Sequence, residues 1–372
     1  MHISSNFDSG NIIVKKLDSV ADIQLAIADD GNADFKQWFH FRLSTQSGIE
    51  HTLHINNVNQ CSYVEGWEGY SVVASYDREE WFRVPTHYDG EKLTISHTPE
   101  FDNIYYAYFT PYSLERHQDL THQAQMSPLC QLIRLGQTVD GRDLDMLKIE
   151  DEQVNPPCTA WIIARQHPGE SMAEWCAEGF ISRLLDDTDA VARSLLKKWR
   201  FFVVPNMNPD GSIRGHLRSN SAGANLNREW LEPSRNFSPE VFLVREQMKK
   251  SGCNFFLDLH GDEAIPYTFV AGAEGIPSYD NKMATMEDSF KDALLKTSPD
   301  FQIIHGYPKS EAGKADLSMA SNWVAEQFHC LAFTLEMPFK DHLFLEDNLY
   351  GWSAERSINL GAALLTAINT TF

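Results

Sequence analysis

Three side chains that can bind a metal ion occur where apolar stretches of the sequence end. His167 and Glu170 follow the apolar run 159–165, and His260 closes the run 254–260. Because open α/β sheets bind ligands beyond the carboxyl ends of their strands, we expect these three side chains to converge. Two imidazoles and one carboxylate with an open fourth position are the ligand set of a catalytic zinc site. The competing interpretation is structural: Glu170 would favour a first helical turn, and His260 would be a hydrogen-bonded core histidine.

A second group of charged residues has the types needed to act on a substrate at such a site. Glu336 lies inside the apolar run 331–337, where a lone carboxylate is costly unless it has a partner or a task. A zinc hydrolase needs a base for water, which makes Glu336 a candidate; a buried salt bridge is the alternative. Arg218 and Arg228 lie in and just after the Gly- and Asn-rich segment 211–227. Guanidinium groups suit carboxylate binding or oxyanion stabilisation, although isolated loop arginines are more often surface charges.

The elements that must position these residues begin after about residue 118, where apolar runs alternate with helical patterns. The runs that predict buried strands are 159–165, 199–205, 254–260 and 331–337. The segments with helical spacing are 170–185, 239–250, 280–295 and 354–368. Short apolar strands alternating with helices indicate a sheet buried on both faces, hence an α/β domain. The usual nucleotide, phosphate and serine-hydrolase motifs of such domains, and the HExxH zinc motif, are absent from the sequence.

The first 118 residues have a different pattern of apolar residues. Short β-type runs recur about every 10 residues and are separated by Gly, Asp and Pro, which predicts an antiparallel β-sandwich. These runs are 35–43, 51–55, 70–76, 81–84, 92–97 and 103–109. Segment 110–128 has the pattern of a connecting helix. We therefore predict two domains, 1–118 and 119–372.

Composition excludes several classes of function. The 372 residues carry 31 basic and 52 acidic side chains, a net charge of −21, which disfavours binding to nucleic acid or to an anionic membrane surface. The N-terminus lacks the pattern of a signal peptide, and no run of 18 apolar residues predicts a membrane span. The six cysteines are scattered without a CxxC pair, which favours reduced thiols and a cytoplasmic location.

Taken in order along the chain, these motifs resemble the zinc carboxypeptidases of the carboxypeptidase A type. The similarity is greatest to the cytosolic carboxypeptidase branch, whose members carry a β-sandwich ahead of a catalytic domain with a mixed α/β/α sheet. The resemblance therefore implies that fold class here. The residues that carry it are His167-Pro-Gly-Glu170, the run 205–211, Asn227-Arg228, His260, Glu336 and, in the first domain, Trp38-Phe39-His40-Phe41, Thr110-Pro111-Tyr112-Ser113 and Arg116-His117.

The resemblance implies a role for each matching residue. One Zn²⁺ per chain would be bound by His167, Glu170 and His260. Glu336 would activate a zinc-bound water and later protonate the leaving amine, and Arg218 would stabilise the tetrahedral oxyanion. Asn227 and Arg228 would bind the terminal carboxylate of a peptide or protein substrate. The implied activity is hydrolysis of C-terminal residues, with the Asn-Pro-Asp-Gly stretch 208–211 acting as a structural turn.

Three departures from the family pattern affect specificity and metal binding. Asn225 stands where the family usually has an acid that orients a metal histidine. The family tyrosine that precedes the catalytic glutamate has no assigned counterpart, although Tyr307 is the only tyrosine in 306–335. Met319 stands where glutamate-trimming relatives carry arginine, which favours an apolar or small C-terminal residue. A deglutamylase, a zinc amidase or deacylase on the same scaffold, and a catalytically weak peptide-binding module remain alternatives.

Overall fold

The structure is a computed structural model that describes residues 1–372. Ten short strands form its N-terminal part. They are β1 (His2–Ser4), β2 (Ile13–Lys16), β3 (Ile23–Ala26), β4 (His40–Ser44), β5 (His51–Ile55), β6 (Val73–Ser75), β7 (Phe82–Arg83), β8 (Thr86–Tyr88), β9 (Leu93–His97) and β10 (Asn103–Ala107). One five-stranded sheet has the order β1-β4-β10-β6-β7, and the other has the order β2-β3-β5-β9-β8. Inward residues of both sheets share one apolar core, which confirms the predicted sandwich.

The sandwich departs from the prediction in two details. Strands β3 and β5 pair in parallel, while the other pairs in these sheets are antiparallel. The strand predicted over 35–43 begins only at His40. The residues before it bond to another loop instead of a ladder, because the Gln37 side chain donates to the Tyr63 carbonyl oxygen and accepts from the Tyr63 backbone amide.

A helix connects the sandwich to the rest of the chain. Helix α1 (Leu114–Ala124) lies within the predicted segment 110–128, and the Ser113 side chain caps its N-terminus by accepting from the Arg116 amide. The division proposed between residues 118 and 119 falls inside this helix and stays a prediction.

The second part of the chain is built on a mixed seven-stranded sheet. Its strands are β11 (Cys130–Gln137), β12 (Asp143–Ile149), β13 (Cys158–Ala164), β14 (Trp199–Val204), β15 (Phe255–Asp262), β16 (Phe269–Ala271) and β17 (Leu331–Pro338). The order is β11-β12-β14-β13-β15-β17-β16, with β14, β13, β15 and β17 parallel. The helices are α2 (Met172–Leu184), α3 (Ala190–Leu196), α4 (Pro209–Arg214), α5 (Pro239–Ser251), α6 (Asn281–Thr297), α7 (Ala320–Phe328) and α8 (Ala354–Thr371).

The central strands are apolar on both faces because helices cover each side. In β13, Ala160 and Ile162 pack into the core that contains α2 and α8, whereas Trp161 and Ile163 pack into the core that contains α5 and α7. This alternation confirms the predicted α/β class and puts the carboxyl ends of β13, β15 and β17 side by side. No helix is long and apolar enough to cross a membrane.

The sequence prediction omitted the outer strands of this sheet and three short helices. Residues of β11 are only half-buried or exposed, so this strand lacks the continuous apolar run that identified the central ones. The stretch 208–211 is not a simple turn, because Pro209 begins α4 and the Asn208 side chain caps it. With six residues, α4 is too short to give a periodic signal.

Candidate metal and substrate site

The turn that carries His167 is fixed by a buried arginine. Directly after β13, Arg165 adopts a left-handed backbone conformation with φ of 59°, which is uncommon for a residue with a side chain. Its guanidinium donates to the carbonyl oxygens of Pro168 and Tyr112, both at 2.9 Å. The same group donates to Glu174 Oε2 at 2.7 Å. These bonds offset the backbone strain and hold the His-Pro-Gly-Glu segment between β13 and α2.

His167, Glu170 and His260 form a compact cluster of ligand atoms. One ring nitrogen of each histidine and one carboxylate oxygen lie within 4.8 Å of one another, and all three residues are buried. Nδ1 of His167 lies 2.7 Å from Glu170 Oε1, and Nδ1 of His260 lies 2.7 Å from Glu170 Oε2. Because Glu170 Oε2 also accepts the Gly261 backbone amide at 3.0 Å, the strand that carries His260 fixes the carboxylate as well.

The outer nitrogens of both rings face hydrogen-bond acceptors. Nε2 of His167 lies 3.0 Å from Asn225 Oδ1, and Nε2 of His260 lies 2.9 Å from Asp258 Oδ2. Because an acceptor faces each Nε2, both rings can carry their proton there, and that tautomer leaves each Nδ1 lone pair for a metal at the centre of the cluster. The two Nδ1 atoms are 3.2 Å apart, which is unfavourable for two lone pairs and is relieved by a cation between them. The donor set therefore fits zinc, which prefers nitrogen and oxygen ligands in this combination.

The electrostatics of the cluster agree with this donor set for two of the three ligands. Burial, together with the Arg218 charge, lowers the pKa of His167 to about 3, so this ring is neutral. Burial by itself raises the pKa of Glu170, but the adjacent His167 and His260 outweigh it and hold that pKa below its usual value. For His260, burial lowers the pKa, but the carboxylates of Asp258 and Glu170 outweigh it and raise that pKa. A neutral imidazole and an ionised carboxylate are the forms that bind a metal.

Glu336 lies next to the cluster because it is the register partner of His260 on the adjacent parallel strand. The Tyr307 hydroxyl lies 3.1 Å from Glu336 Oε1 and 2.6 Å from Asp262 Oδ2. The second oxygen of Glu336 is buried and has no hydrogen-bond partner. Burial raises the pKa of Glu336 to about 8. A carboxyl group with a free oxygen and a pKa near neutrality can both accept and release a proton.

All seven sequence-predicted site residues line one cavity of about 430 Å³. They are His167, Glu170, Arg218, Asn227, Arg228, His260 and Glu336. Arg218 reaches toward the metal cluster, with Nη1 4.0 Å from Glu170 Oε1. Asn227 is buried, and its side-chain oxygen accepts the Ala320 backbone amide at 2.9 Å. Arg228 is exposed at the cavity wall and donates to the Asn227 carbonyl oxygen at 2.7 Å.

A second cavity of about 330 Å³ adjoins the first. The residues that line both cavities are Tyr307 and Met319. Two lysines lie in the wall of the second cavity, and each is paired with acids. Lys309 Nζ lies 2.8 Å from Glu274 Oε1, and Lys291 Nζ lies 2.5 Å from Glu287 Oε1 and 3.7 Å from Glu274 Oε1. The second cavity therefore contains no unpaired cation.

Sequence reasoning missed several residues that the structure places at the site. Sequence reasoning assigns no role to Tyr307, although its isolation as the only tyrosine in 306–335 is a usable signal. Asp258 was not singled out, yet it is the one charged residue before His260 in an apolar strand, and a period of two puts both on the same face. Tyr63 and Glu263 also line the cavity, and nothing in their local sequence indicated this.

Comparison with known families agrees with the geometry. A family described as zinc carboxypeptidase matches residues 118–351, and one described as cytosolic carboxypeptidase N-terminal domain matches residues 3–109. The chain belongs to the zinc carboxypeptidase family and is a peptide hydrolase. The presence of both matches relates it more narrowly to the cytosolic carboxypeptidases, as the resemblance of the motifs indicated.

Solved structures extend this relation to the whole chain. A metallo-carboxypeptidase from Burkholderia cenocepacia is 49% identical, with a TM-score of 0.98 over 100% of this chain and 98% of that chain. A metallo-carboxypeptidase from Pseudomonas aeruginosa, in complex with (2-guanidinoethylmercapto)succinic acid, is 44% identical, with a TM-score of 0.97 over 99% of this chain and 98% of that chain. Cytosolic carboxypeptidase 6 of Caenorhabditis elegans is 24% identical over 90% of this chain and 78% of that protein.

Proposed function

We propose that this enzyme is a zinc-dependent metallocarboxypeptidase that removes single residues from the C-termini of peptides or proteins. The observation that carries the proposal is the single cavity that holds the histidine-carboxylate cluster, Glu336 and two arginines together. A metal cluster alone would suit many hydrolases. The additional guanidinium groups give the cavity a means to bind a free terminal carboxylate, which an exopeptidase requires.

His167, Glu170 and His260 would hold the zinc ion. Zinc supplies Lewis acidity there, which polarises a carbonyl group and makes water more acidic. Glu336 takes a proton from the attacking water on its unpartnered oxygen and delivers it to the nitrogen of the leaving residue. The Tyr307 hydroxyl lies between the other oxygen of Glu336, at 3.1 Å, and Asp262 Oδ2, at 2.6 Å, and limits the orientations open to the Glu336 carboxyl group.

The two arginines contact different groups of the substrate. Arg218 lies on the metal side of the cavity, 4.0 Å from Glu170, where its guanidinium stabilises the negative charge that develops on the carbonyl oxygen. Arg228, with the Asn227 amide beside it, binds the terminal carboxylate of the substrate. The Pseudomonas aeruginosa relative binds a guanidino-substituted succinic acid, and a ligand with carboxylates suits this pair of groups.

A peptide library tests the activity and the metal dependence together. We expect loss of single C-terminal residues, read by mass spectrometry, that stops when a zinc chelator is added and is absent in Glu336→Gln. The matched control is Glu240→Gln, which changes another buried glutamate with an unpartnered oxygen that lies outside the cavity. Internal cleavage of the peptides, or no change in the wild type, would contradict the proposal.

The second cavity supports a preference for neutral C-terminal side chains. Met319 lies between the two cavities, and both lysines beyond it are paired with glutamates. An acidic side chain would therefore find no unpaired cation there. We expect peptides that end in Ala or Leu to have higher kcat/KM than the same peptides ending in Glu. Release of C-terminal Glu alone would instead favour the deglutamylase alternative.

We also propose a cytoplasmic location and no role for nucleic acid or membranes. All six cysteines are free thiols, which fits a reducing compartment, and the N-terminal domain is of the cytosolic carboxypeptidase type. Cell fractionation with an antibody to the chain tests the location, and recovery from a membrane or secreted fraction would contradict it.

A further inference from the structure

A buried carboxylate of the N-terminal sandwich contacts the backbone around Arg218. Asp30 is only 1% exposed. Its Oδ1 accepts the Leu217 amide at 2.6 Å, and its Oδ2 accepts the amides of Arg218 at 2.7 Å and of Ser219 at 2.9 Å. The Ser219 hydroxyl adds a fourth bond to Oδ2 at 3.2 Å. These four donors bind one carboxylate that lies more than 180 residues earlier in the sequence. They fix the position and the orientation of segment 217–219.

The surroundings of Asp30 fit closely against the same segment. Gly31 has a φ of +59°, and a Cβ there would lie 3.3 Å from His216 Nε2. The Asn32 side chain donates to the Ser221 carbonyl oxygen at 2.8 Å. A Cβ on Gly223 would lie 2.5 Å from the Asn32 carbonyl oxygen. The contact therefore requires small residues on both sides, as expected where two backbones must approach each other.

The guanidinium of Arg218 also rests on the sandwich. Its central carbon lies 5.2 Å from the centroid of the Tyr63 ring and 5.9 Å from that of Phe35. The one carboxylate within 4.0 Å of it is that of Glu170, which would be occupied by the metal. No hydrogen bond to another side chain holds the guanidinium. Its position is therefore set by the backbone at 217–219 and by the two aromatic rings, and the sandwich supplies both constraints.

We infer that Asp30 is a positioning residue for Arg218, so that the N-terminal sandwich is part of the active site. Asp30 lies outside the cavity and touches no substrate; it acts by holding the backbone from which Arg218 extends. This inference rests on the proposed function for its kinetic consequence. The candidate metal ligands lie on other strands and turns, and the segment that Asp30 holds contacts their turn through the bond from the Gly169 amide to the Leu217 carbonyl oxygen at 2.9 Å. We therefore expect Asp30 to affect turnover far more than zinc binding.

The Asp30→Asn variant tests the inference in the full-length holoenzyme. Asparagine keeps the shape but replaces one accepting oxygen with an NH₂ group that faces backbone donors. We expect kcat to fall about 10- to 100-fold, as for a small displacement of a catalytic group, with KM and zinc content little changed. The matched control is Asp89→Asn, because Asp89 also accepts two backbone amides, from Glu91 and Lys92, in an exposed turn of the sandwich.

A double-mutant cycle with Arg218→Ala separates positioning from general destabilisation. If Asp30 acts through Arg218, the loss caused by Asp30→Asn disappears when Arg218 is already alanine. An equal loss in both backgrounds, or no loss in the wild-type background, would overturn the inference. If Asp30→Asn does not fold, Tyr63→Leu enters the same cycle, because it removes the ring under the guanidinium and leaves the backbone bonds in place.

A second measurement does not depend on catalysis. The Nε–Hε NMR signal that disappears in Arg218→Lys marks Arg218, and we expect it to shift or broaden in Asp30→Asn but not in Asp89→Asn. An unchanged signal would overturn the inference whatever the activity. A wild-type enzyme that releases no C-terminal residue would contradict the proposed function instead, and the NMR result would still decide the role of Asp30.

Discussion

The two halves of the cavity are held in place by different parts of the chain. On the metal side, His167, Glu170 and His260 stand at the ends of adjacent parallel strands and bond to one another and to the same sheet. On the arginine side, Arg218 and Arg228 lie in the long connection between α4 and α5, residues 215–238, which we call the arginine connection. Its only regular element is one turn over Leu226–Arg228. The N-terminal sandwich fixes the Arg218 part of this connection from outside.

Because different contacts hold the two sides of the cavity, substitutions can affect zinc binding and turnover separately. The sheet that presents the candidate metal ligands packs one face in a core of its own and the other face in a core that it shares with the sandwich. The hydrogen bonds of the three ligand side chains, however, are made within the second part of the chain. On the arginine side, the backbone of Arg218 is bonded directly to Asp30 of the sandwich. We therefore expect substitutions at the two halves to give different combinations of zinc content and turnover.

The largest effect is expected from a metal ligand. His260→Ala removes one of three ligands and leaves Glu170 and Asp258 without the ring between them, so zinc and activity are both lost. Metal analysis after dialysis measures the zinc content. The control is His51→Ala, which removes another fully buried histidine from the sandwich. Zinc retained at wild-type stoichiometry in His260→Ala would show that the cluster is not the metal site.

On the arginine half, Arg218→Ala should leave the zinc content unchanged and lower kcat by about 10²- to 10³-fold, as for loss of an oxyanion donor. Arg228→Ala is the matched comparison, because loss of a carboxylate contact raises KM more than it lowers kcat. Steady-state kinetics on one peptide distinguish the two. If both variants change only KM, Arg218 does not stabilise the transition state.

The same division explains what the sequence could predict. The candidate metal ligands follow predominantly apolar strands, so both the strands and their ends are visible in the sequence, and the structure brings all seven candidate residues to one cavity. Asp30 and Tyr63 are invisible in the sequence, because they lie in loops of the N-terminal sandwich and contact Arg218 only in the folded chain. The outer strand β11 was missed for a related reason: it is half-exposed and has no continuous apolar run.

A smaller effect is expected at the junction of the two halves, where Asn225 of the arginine connection contacts His167. In Asn225→Asp a carboxylate would accept from the ring and raise its basicity, so zinc affinity should increase by about 10- to 100-fold. Competition with a chelator measures it. Asn254→Asp adds the same charge at the opposite end of the sheet and is the control. Unchanged affinity and turnover would show that the Asn225 contact does not tune the metal.

The smallest effect is expected at Gly223, where the sandwich approaches the arginine connection. Alanine there would adopt a φ of +92° and place its Cβ 2.5 Å from the Asn32 carbonyl oxygen. Gly141→Ala is the control, since Gly141 has a φ of +82° with nothing within 4 Å of its Cβ. Both variants should lose about 1 kcal/mol from backbone strain, and Gly223→Ala should lose more, because its Cβ would clash with the Asn32 carbonyl oxygen. Only Gly223→Ala should also lower kcat, by a few-fold and with a smaller change in zinc content, because the displaced Asn32 lies next to the segment that holds the backbone of Arg218. Equal thermal stability and equal kcat in the two variants would mean that the close approach does not hold the arginine half in place.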